Sequence, residues 1–129
     1  MLEPQWVPRL VVEAVHLDQI RVHGGLGGLR DEDLLEAALA RPKHKWAYRR
    51  KPDLAKLAAA YLFGIARNHP FRDGNKRVAF LTAVIFLELN DVRFEADEVE
   101  VVIIVEAVAA GKATEGAVAK WMRERITEL

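Results

Sequence analysis

The chain of 129 residues contains no cysteine and no serine. Without cysteine there is no disulfide and no thiol nucleophile, and without serine a Ser-His-Asp hydrolase is excluded. The missing thiols fit a reducing compartment, so a cytoplasmic location is expected. Charge of either sign is not in excess: 19 Lys and Arg balance 19 Asp and Glu, for a formal net charge of zero. The molecule as a whole has no field that would draw it to nucleic acid or to an anionic membrane, and direct nucleic-acid binding is not expected without a local patch. Long apolar runs are also missing. The two most apolar stretches, 54–66 and 78–87, fall short of the roughly 18 residues of a membrane span. The first six residues have neither a basic start nor an apolar run, so no signal peptide is expected. No internal repeat or low-complexity segment is visible.

What is present is apolar and helical. Hydrophobic residues make up 51% of the chain, enough for one domain over residues 1–129 with a real core. The fold class expected is all-α, a compact bundle of six helices. Pro8 suits a first helical position, and Leu10, Val11, Ala14, Val15 and Leu17 recur at steps of three and four, so a first helix is expected to about Val22. Gly24, Gly25, Gly27 and Gly28 end it. They lack the Lys-Ser/Thr pair of a phosphate loop and follow no strand, so they read as a connector. Asp31 is placed to cap a second, short helix with Leu34, Leu35, Ala38 and Leu39 inward and Pro42 as its stop. Asp53 caps a third, carrying Leu57, Ala58, Tyr61, Leu62 and Ile65, whose near-uniform apolarity makes it central. A fourth follows from Val78. Residues 101–105 are β-branched like a strand, yet Asp97, Glu98 and Glu100 before them and Gly111 after them favour a helix. Thr114 begins the last, with Val118, Trp121 and Met122 inward.

Between the third and fourth helices lies His69-Pro70-Phe71-Arg72-Asp73-Gly74-Asn75-Lys76-Arg77. Pro70 biases His69 away from the helical region, and Gly74 can take a positive φ, so the stretch reads as a loop that ends one buried helix and starts another. The amides that open the second helix lack intrahelical partners and carry the positive end of its dipole, which suits phosphate. Lys76 and Arg77 add cations that oppose the dipole, a placement that a bound anion would offset. Asp73 is a hard oxygen ligand for Mg²⁺, which binds through one or two carboxylates plus substrate phosphates. His69 is left as a candidate general base, and Phe71 as the plug that anchors the loop.

These residues resemble the motif of the Fic/Doc family, His-x-Phe-x-(Asp/Glu)-Gly-Asn-(Gly/Lys)-Arg. With six positions fixed, chance occurrence in a chain this long is on the order of a few in a million. Lys76 in place of the motif's second glycine and Phe80 in place of a second arginine are similar to the Doc branch. The glycine-rich segment and the Leu34–Pro42 run extend the likeness. The resemblance implies a bundle with the catalytic loop between its two central helices. It also implies the toxin of a bacterial toxin–antitoxin pair, with ATP and Mg²⁺ as cofactors, that transfers a phosphoryl group to a threonine of elongation factor Tu. His69, Asp73, Lys76 and Arg77 would be catalytic, Gly74, Asn75, Lys76 and Arg77 would bind the phosphates, and Asp73 would hold the metal. A Fic-type AMP transferase is the second reading, and a non-catalytic helical binding module a third of another class.

Residues 41–51 are basic with interleaved aromatics and no clear helical period. They could contact nucleic acid, or form a solvated loop with Trp46 and Tyr48 packed on the body. In the family the corresponding region is a flap at the active site that positions the target, a role implied for Trp46 and Tyr48. Self-restraining Fic proteins carry a (Ser/Thr)-x-x-x-Glu-(Gly/Asn) helix, and Thr82, Thr114 and Thr127 lack that spacing. The expected inhibitor is a separate antitoxin protein from a neighbouring gene.

Overall fold

A computed structural model describes residues 2–48 and 52–129. At its centre is α3, Leu54–Asn68, opened by Asp53, whose side chain accepts from the Lys56 N–H at 2.8 Å. Ala55, Leu57, Ala58, Ala59, Ala60, Tyr61, Leu62, Ile65 and Ala66 are fully buried. A helix apolar on nearly all sides can only be stable when surrounded. Its neighbours are α2 (Glu32–Tyr48), α4 (Asn75–Leu89) and α6 (Glu115–Arg123). Small residues let them approach: a Cβ at Gly64 would stand 3.3 Å from the Ala38 Cα. Outside this core, α1 (Arg9–His23) lies against α4, and α5 (Glu98–Ala109) touches α3 and α4. Six helices with one small ribbon confirm the all-α class among the described residues. None of those helices is long and apolar enough to cross a membrane.

The caps fall where short polar residues precede apolar runs. Asp31 accepts from Leu34 N–H at 3.0 Å, Asp97 from Val99 N–H at 3.3 Å and Thr114 from Ala117 N–H at 3.0 Å, each satisfying an amide that the helix leaves open. Residues 101–105 are helical, as the end signals require.

Three expectations are corrected. In α1 the inward line is Val12 and His16, whereas Leu10 and Leu17 are 79% and 58% exposed; the line that faces the core contains a histidine, which an apolar periodicity does not register. Pro8 is the cap residue (φ −65°, ψ 148°), not the first helical one. Helix α2 passes through Pro42 and continues to Tyr48. A mid-helix proline removes a hydrogen bond and costs roughly 3 kcal/mol in isolation, but here tertiary contacts offset it. Pro42 is buried, Trp46 packs against the core, and Arg41 and Lys45 both pair with Glu115 on α6, at 2.6 and 2.5 Å. Finally, β1 (Val92–Phe94) pairs antiparallel with β2 (Ile126–Glu128), a ribbon in the register Val92 to Glu128 and Phe94 to Ile126. Two three-residue strands far apart in the chain leave no pattern for sequence to show.

Candidate active site

Helix α3 stops because His69 takes a left-handed conformation (φ 48°, ψ 57°) and Pro70 follows. The His69 N–H still bonds to Ile65 O at 3.2 Å, closing the last turn. Phe71 then turns inward, 2% exposed, and Gly74 (φ 78°) starts α4. Aspartate or threonine caps α2, α3, α5 and α6, but Gly74 has no side chain to offer. The first ladder bond of α4 runs from Val78 N–H to Gly74 O at 3.0 Å, so the amides of Asn75, Lys76 and Arg77 stand open at the positive end of the dipole. The exposed imidazole of His69 and this helix start are the two ends of one loop.

Asn75, expected among the phosphate-binding residues, uses its side chain to close the loop. The amide is buried and spans the loop, accepting from Phe71 N–H and donating to Phe71 O, both at 2.9 Å. The Asn75 backbone N–H is among the open amides at the start of α4.

The glycine-rich connector turns out to brace the loop. Leu29 and Phe71 form an isolated antiparallel bridge, with Arg72 N–H on Gly28 O at 3.1 Å and the Arg30 and Asp31 amides on Pro70 O at 2.7 and 3.0 Å. The Arg30 guanidinium donates to His69 O at 2.7 Å and Asn68 O at 2.8 Å, placing a cation on the carbonyls that end α3. Leu26 N–H donates to Asp73 Oδ2 at 2.6 Å. From α1, His16 stacks on Phe71 (centroids 3.9 Å apart, planes 11° apart) and its Nε2 lies 2.9 Å from Asp73 O. Reading by residue type overlooked both Arg30 and His16; the only available signal was that His16 falls four residues after Val12 on the same helix face.

Asp73 is exposed, with one carboxylate oxygen held by Leu26 and the other without a hydrogen-bond partner among the described residues. No group of three His, Cys, Asp or Glu gathers there or elsewhere among those residues. A cation at this position would therefore take one carboxylate oxygen with water and anion oxygens. That donor set fits Mg²⁺, which retains waters and seldom demands an all-protein cage.

Lys76 reaches across to Glu106 on α5, Nζ to Oε1 2.7 Å, with both side chains about half exposed. Arg77 is exposed and makes no ion pair among the described residues. Beside them a cavity of about 600 Å³ opens between α4 and α5, cationic at the helix start through Lys76 and Arg77 and apolar beyond it through Phe80, Leu81, Val101 and Val105. Its volume is within the range of small-molecule sites.

Trp46 and Tyr48 are not at this site. Asn68 Nδ2 donates to Leu34 O at 3.0 Å and Gly64 abuts Ala38, so α2 and α3 run antiparallel. Tyr48 lies fourteen positions beyond Leu34, about 20 Å along the axis at the helical rise. Tyr48 is 88% exposed, its ring in an edge-to-face arrangement with that of His44, and Trp46 packs against the core. Residues 49–51 of the basic run lie outside the described residues, and of its remaining cations Arg41 and Lys45 are paired with Glu115.

A histidine closing one central helix and an uncapped, cationic start to the next, joined by a phenylalanine-anchored turn, define the Fic/Doc architecture. The Fic/DOC family model matches residues 6–87, from before α1 to near the end of α4, and the chain belongs to that family. It is similar to the protein kinase Doc of Escherichia phage P1, 36% identical over 110 residues that cover 85% of this chain and 86% of the phage protein. It is also similar to the toxin Doc of Mycolicibacterium smegmatis, 45% identical over 75 residues, 57% of this chain and 58% of that protein. Both relatives are Doc proteins, which agrees with Lys76 and Phe80 in placing the chain on the Doc branch.

Proposed function

We propose that the protein is a Doc-type toxin that acts as a protein kinase, transferring the γ-phosphoryl group of ATP to a threonine of elongation factor Tu and so stopping translation. The observation that carries this reading is Lys76. It stands at the uncapped start of α4, where a glycine would leave space, and lines the cavity with its charge. The name of the phage relative, a protein kinase, supports the same choice.

In this reading the His69 imidazole accepts the proton of the threonine hydroxyl as that oxygen bonds to the γ-phosphorus, and the bond from the γ-phosphorus to the β,γ-bridging oxygen breaks, ADP leaving with its electron pair. Lys76, Arg77 and the open amides of α4 bear the charge on the transferred group and on the leaving phosphates, so catalysis consists mainly of positioning and electrostatic stabilisation. Asp73 would hold Mg²⁺, which supplies neutralisation of phosphate charge when bound. Arg30 and the Asn75 amide fix the backbone on both sides of the loop.

The deciding experiment supplies ATP labelled separately at the α and γ phosphates to the protein with a bacterial lysate. Transfer of the γ label to a protein of the size of elongation factor Tu is expected. Transfer of the α label alone would replace the kinase with a Fic-type AMP transferase. Growth arrest that survives His69→Ala would replace both with a non-catalytic binding module.

An antitoxin from a neighbouring gene is part of the proposal. Val99, Val102 and Ile103 on α5 are all more than half exposed, and Val102 lines the cavity beside α4. Apolar side chains left in water at the edge of that cavity suit a partner segment. Co-expression of the adjacent open reading frame should restore growth, and failure of either neighbour to do so would remove this element.

A further inference from the structure

The geometry points to His16 as a positioning residue for Asp73, an inference that rests on Asp73 being the metal ligand of the proposed reaction. His16 is 5% exposed, and a polar ring that deep needs a partner. Its partner is the Asp73 main-chain carbonyl, 2.9 Å from Nε2. A carbonyl oxygen only accepts, so Nε2 carries the hydrogen and donates. The ring cannot swing away, because it lies flat on Phe71, and the chain passes directly over it: a Cβ at Gly74 would stand 3.7 Å from His16 Cδ2.

Asp73 is thereby held at two points by two different parts of the fold. His16 in α1 fixes its carbonyl, and Leu26 N–H in the glycine-rich segment fixes one carboxylate oxygen. With both constrained, the second carboxylate oxygen has a set direction. Packing alone does not call for a histidine, since Val12 fills the preceding turn of the same face with an apolar side chain and is fully buried. The hydrogen bond to Asp73 is what the imidazole adds. Groups that orient a metal ligand without touching the metal commonly change metal affinity by about 10- to 100-fold when removed.

Two variants separate the donor from the ring. His16→Phe keeps the stack on Phe71 and loses the N–H. His16→Gln gives up the stack but carries an N–H at a similar reach. The first readout needs neither metal nor substrate: amide exchange at Leu26, measured by NMR on the nucleotide-free protein. In His16→Phe that exchange should quicken roughly tenfold while α3 amides keep their protection, and His16→Gln should recover most of the difference. The second readout is the transfer assay, where His16→Phe should raise the KM for Mg²⁺ roughly tenfold with kcat within a few-fold of the parent. Unchanged Leu26 exchange in His16→Phe overturns the inference. Equal impairment of both variants, with a large loss of thermal stability, also overturns it and makes His16 a packing residue. If the parent transfers nothing, the kinase reading fails while Leu26 exchange still decides the role of His16.

Discussion

Gly25 lies against Asp73 with no space between them: a Cβ at Gly25 would stand 3.1 Å from Asp73 Cβ and 3.2 Å from its Oδ2. The backbone there has φ +109°, which side-chain-bearing residues rarely adopt. The absence of a side chain lets the chain pass close enough for the next residue, Leu26, to donate its N–H to that same carboxylate at 2.6 Å. A glycine run that sequence treats as punctuation is therefore built to the shape of one aspartate.

Gly25→Ala should then displace Asp73 as well as strain its own backbone. The expected result is a loss of about 1–2 kcal/mol of stability in a denaturant titration, the usual scale for a non-glycine residue forced to positive φ, together with at least a tenfold fall in phosphoryl transfer. Gly27→Ala is the control, because a Cβ there meets nothing within 4 Å. It should leave both measurements within error of the parent. Equal effects at the two positions would show that the segment acts through general flexibility and not through contact with Asp73.

Arg30 makes the corresponding contact at the other end of the loop, with Nε on His69 O and Nη2 on Asn68 O. Arg30→Ala leaves two carbonyls at the end of α3 to water and releases the residue that holds the left-handed conformation. Because the side chain is exposed, the stability loss should be only about 1 kcal/mol, read from the thermal midpoint. The fall in kcat should be larger in proportion, since the proposed base, His69, must stay aligned. Lys at this position can occupy one carbonyl but not both in a fork, so Arg30→Lys should fall between the two. Retention of full kcat by Arg30→Ala would detach His69 alignment from this contact.

Much of this architecture was legible in the chain, and the limits have physical causes. Caps and central helices were readable because Asp31, Asp53, Asp97 and Thr114 each precede an apolar run, and such signals are local. The motif singled out the candidates for chemistry and the loop that holds them. It could not show that the Asn75 amide is spent on Phe71, because what a side chain bonds to depends on how the loop closes. His16 and Arg30 were invisible for a related reason: each acts on a carbonyl 39 or more positions away. The α2 stop at Pro42 failed because the local penalty of proline is smaller than the combined hold of Trp46, Arg41, Lys45 and Glu115. The position of Tyr48 followed from that error, since a helix carries it away from the site where a loop could have folded back.

Tyr61 gives the core a measurable pH dependence. Burial pushes its phenol up to about 12, and the bond from Val7 N–H to its oxygen at 3.0 Å works weakly in the opposite direction. In the unfolded chain the group titrates near 10. Between about pH 10 and 12 the unfolded state has released a proton that the folded state keeps, so stability falls as pH rises through that window and is unaffected by Tyr61 below it. The loss amounts to at most roughly 2–3 kcal/mol. Urea titrations of parent and Tyr61→Phe check it. At pH 8 the variant should be about 1–2 kcal/mol less stable, because Val7 N–H loses its acceptor, and this difference should shrink or reverse by about pH 12. Parallel pH curves would mean that Tyr61 ionises as freely in the fold as outside it.

Glu106 sets a different test, because it competes for Lys76 with any phosphate that enters the cavity. The pair is solvent-exposed on both sides, 48% and 57%, and such bridges contribute little, about 0–1 kcal/mol. Glu106→Gln should therefore leave the thermal midpoint unchanged to within a degree or two. It also removes one negative charge from the cavity wall, which in the proposed reaction the nucleotide phosphates approach. The expected outcome is a KM for ATP lowered by about three- to tenfold at low ionic strength, converging on the parent value as salt screens the charge, with kcat little altered. Lys76→Ala should show the reverse pattern, with an unchanged midpoint but a large loss of transfer. A Glu106→Gln variant that binds ATP no better than the parent at any ionic strength would show that Lys76 is already free of Glu106 when the nucleotide arrives, and that the ion pair belongs to the nucleotide-free state alone.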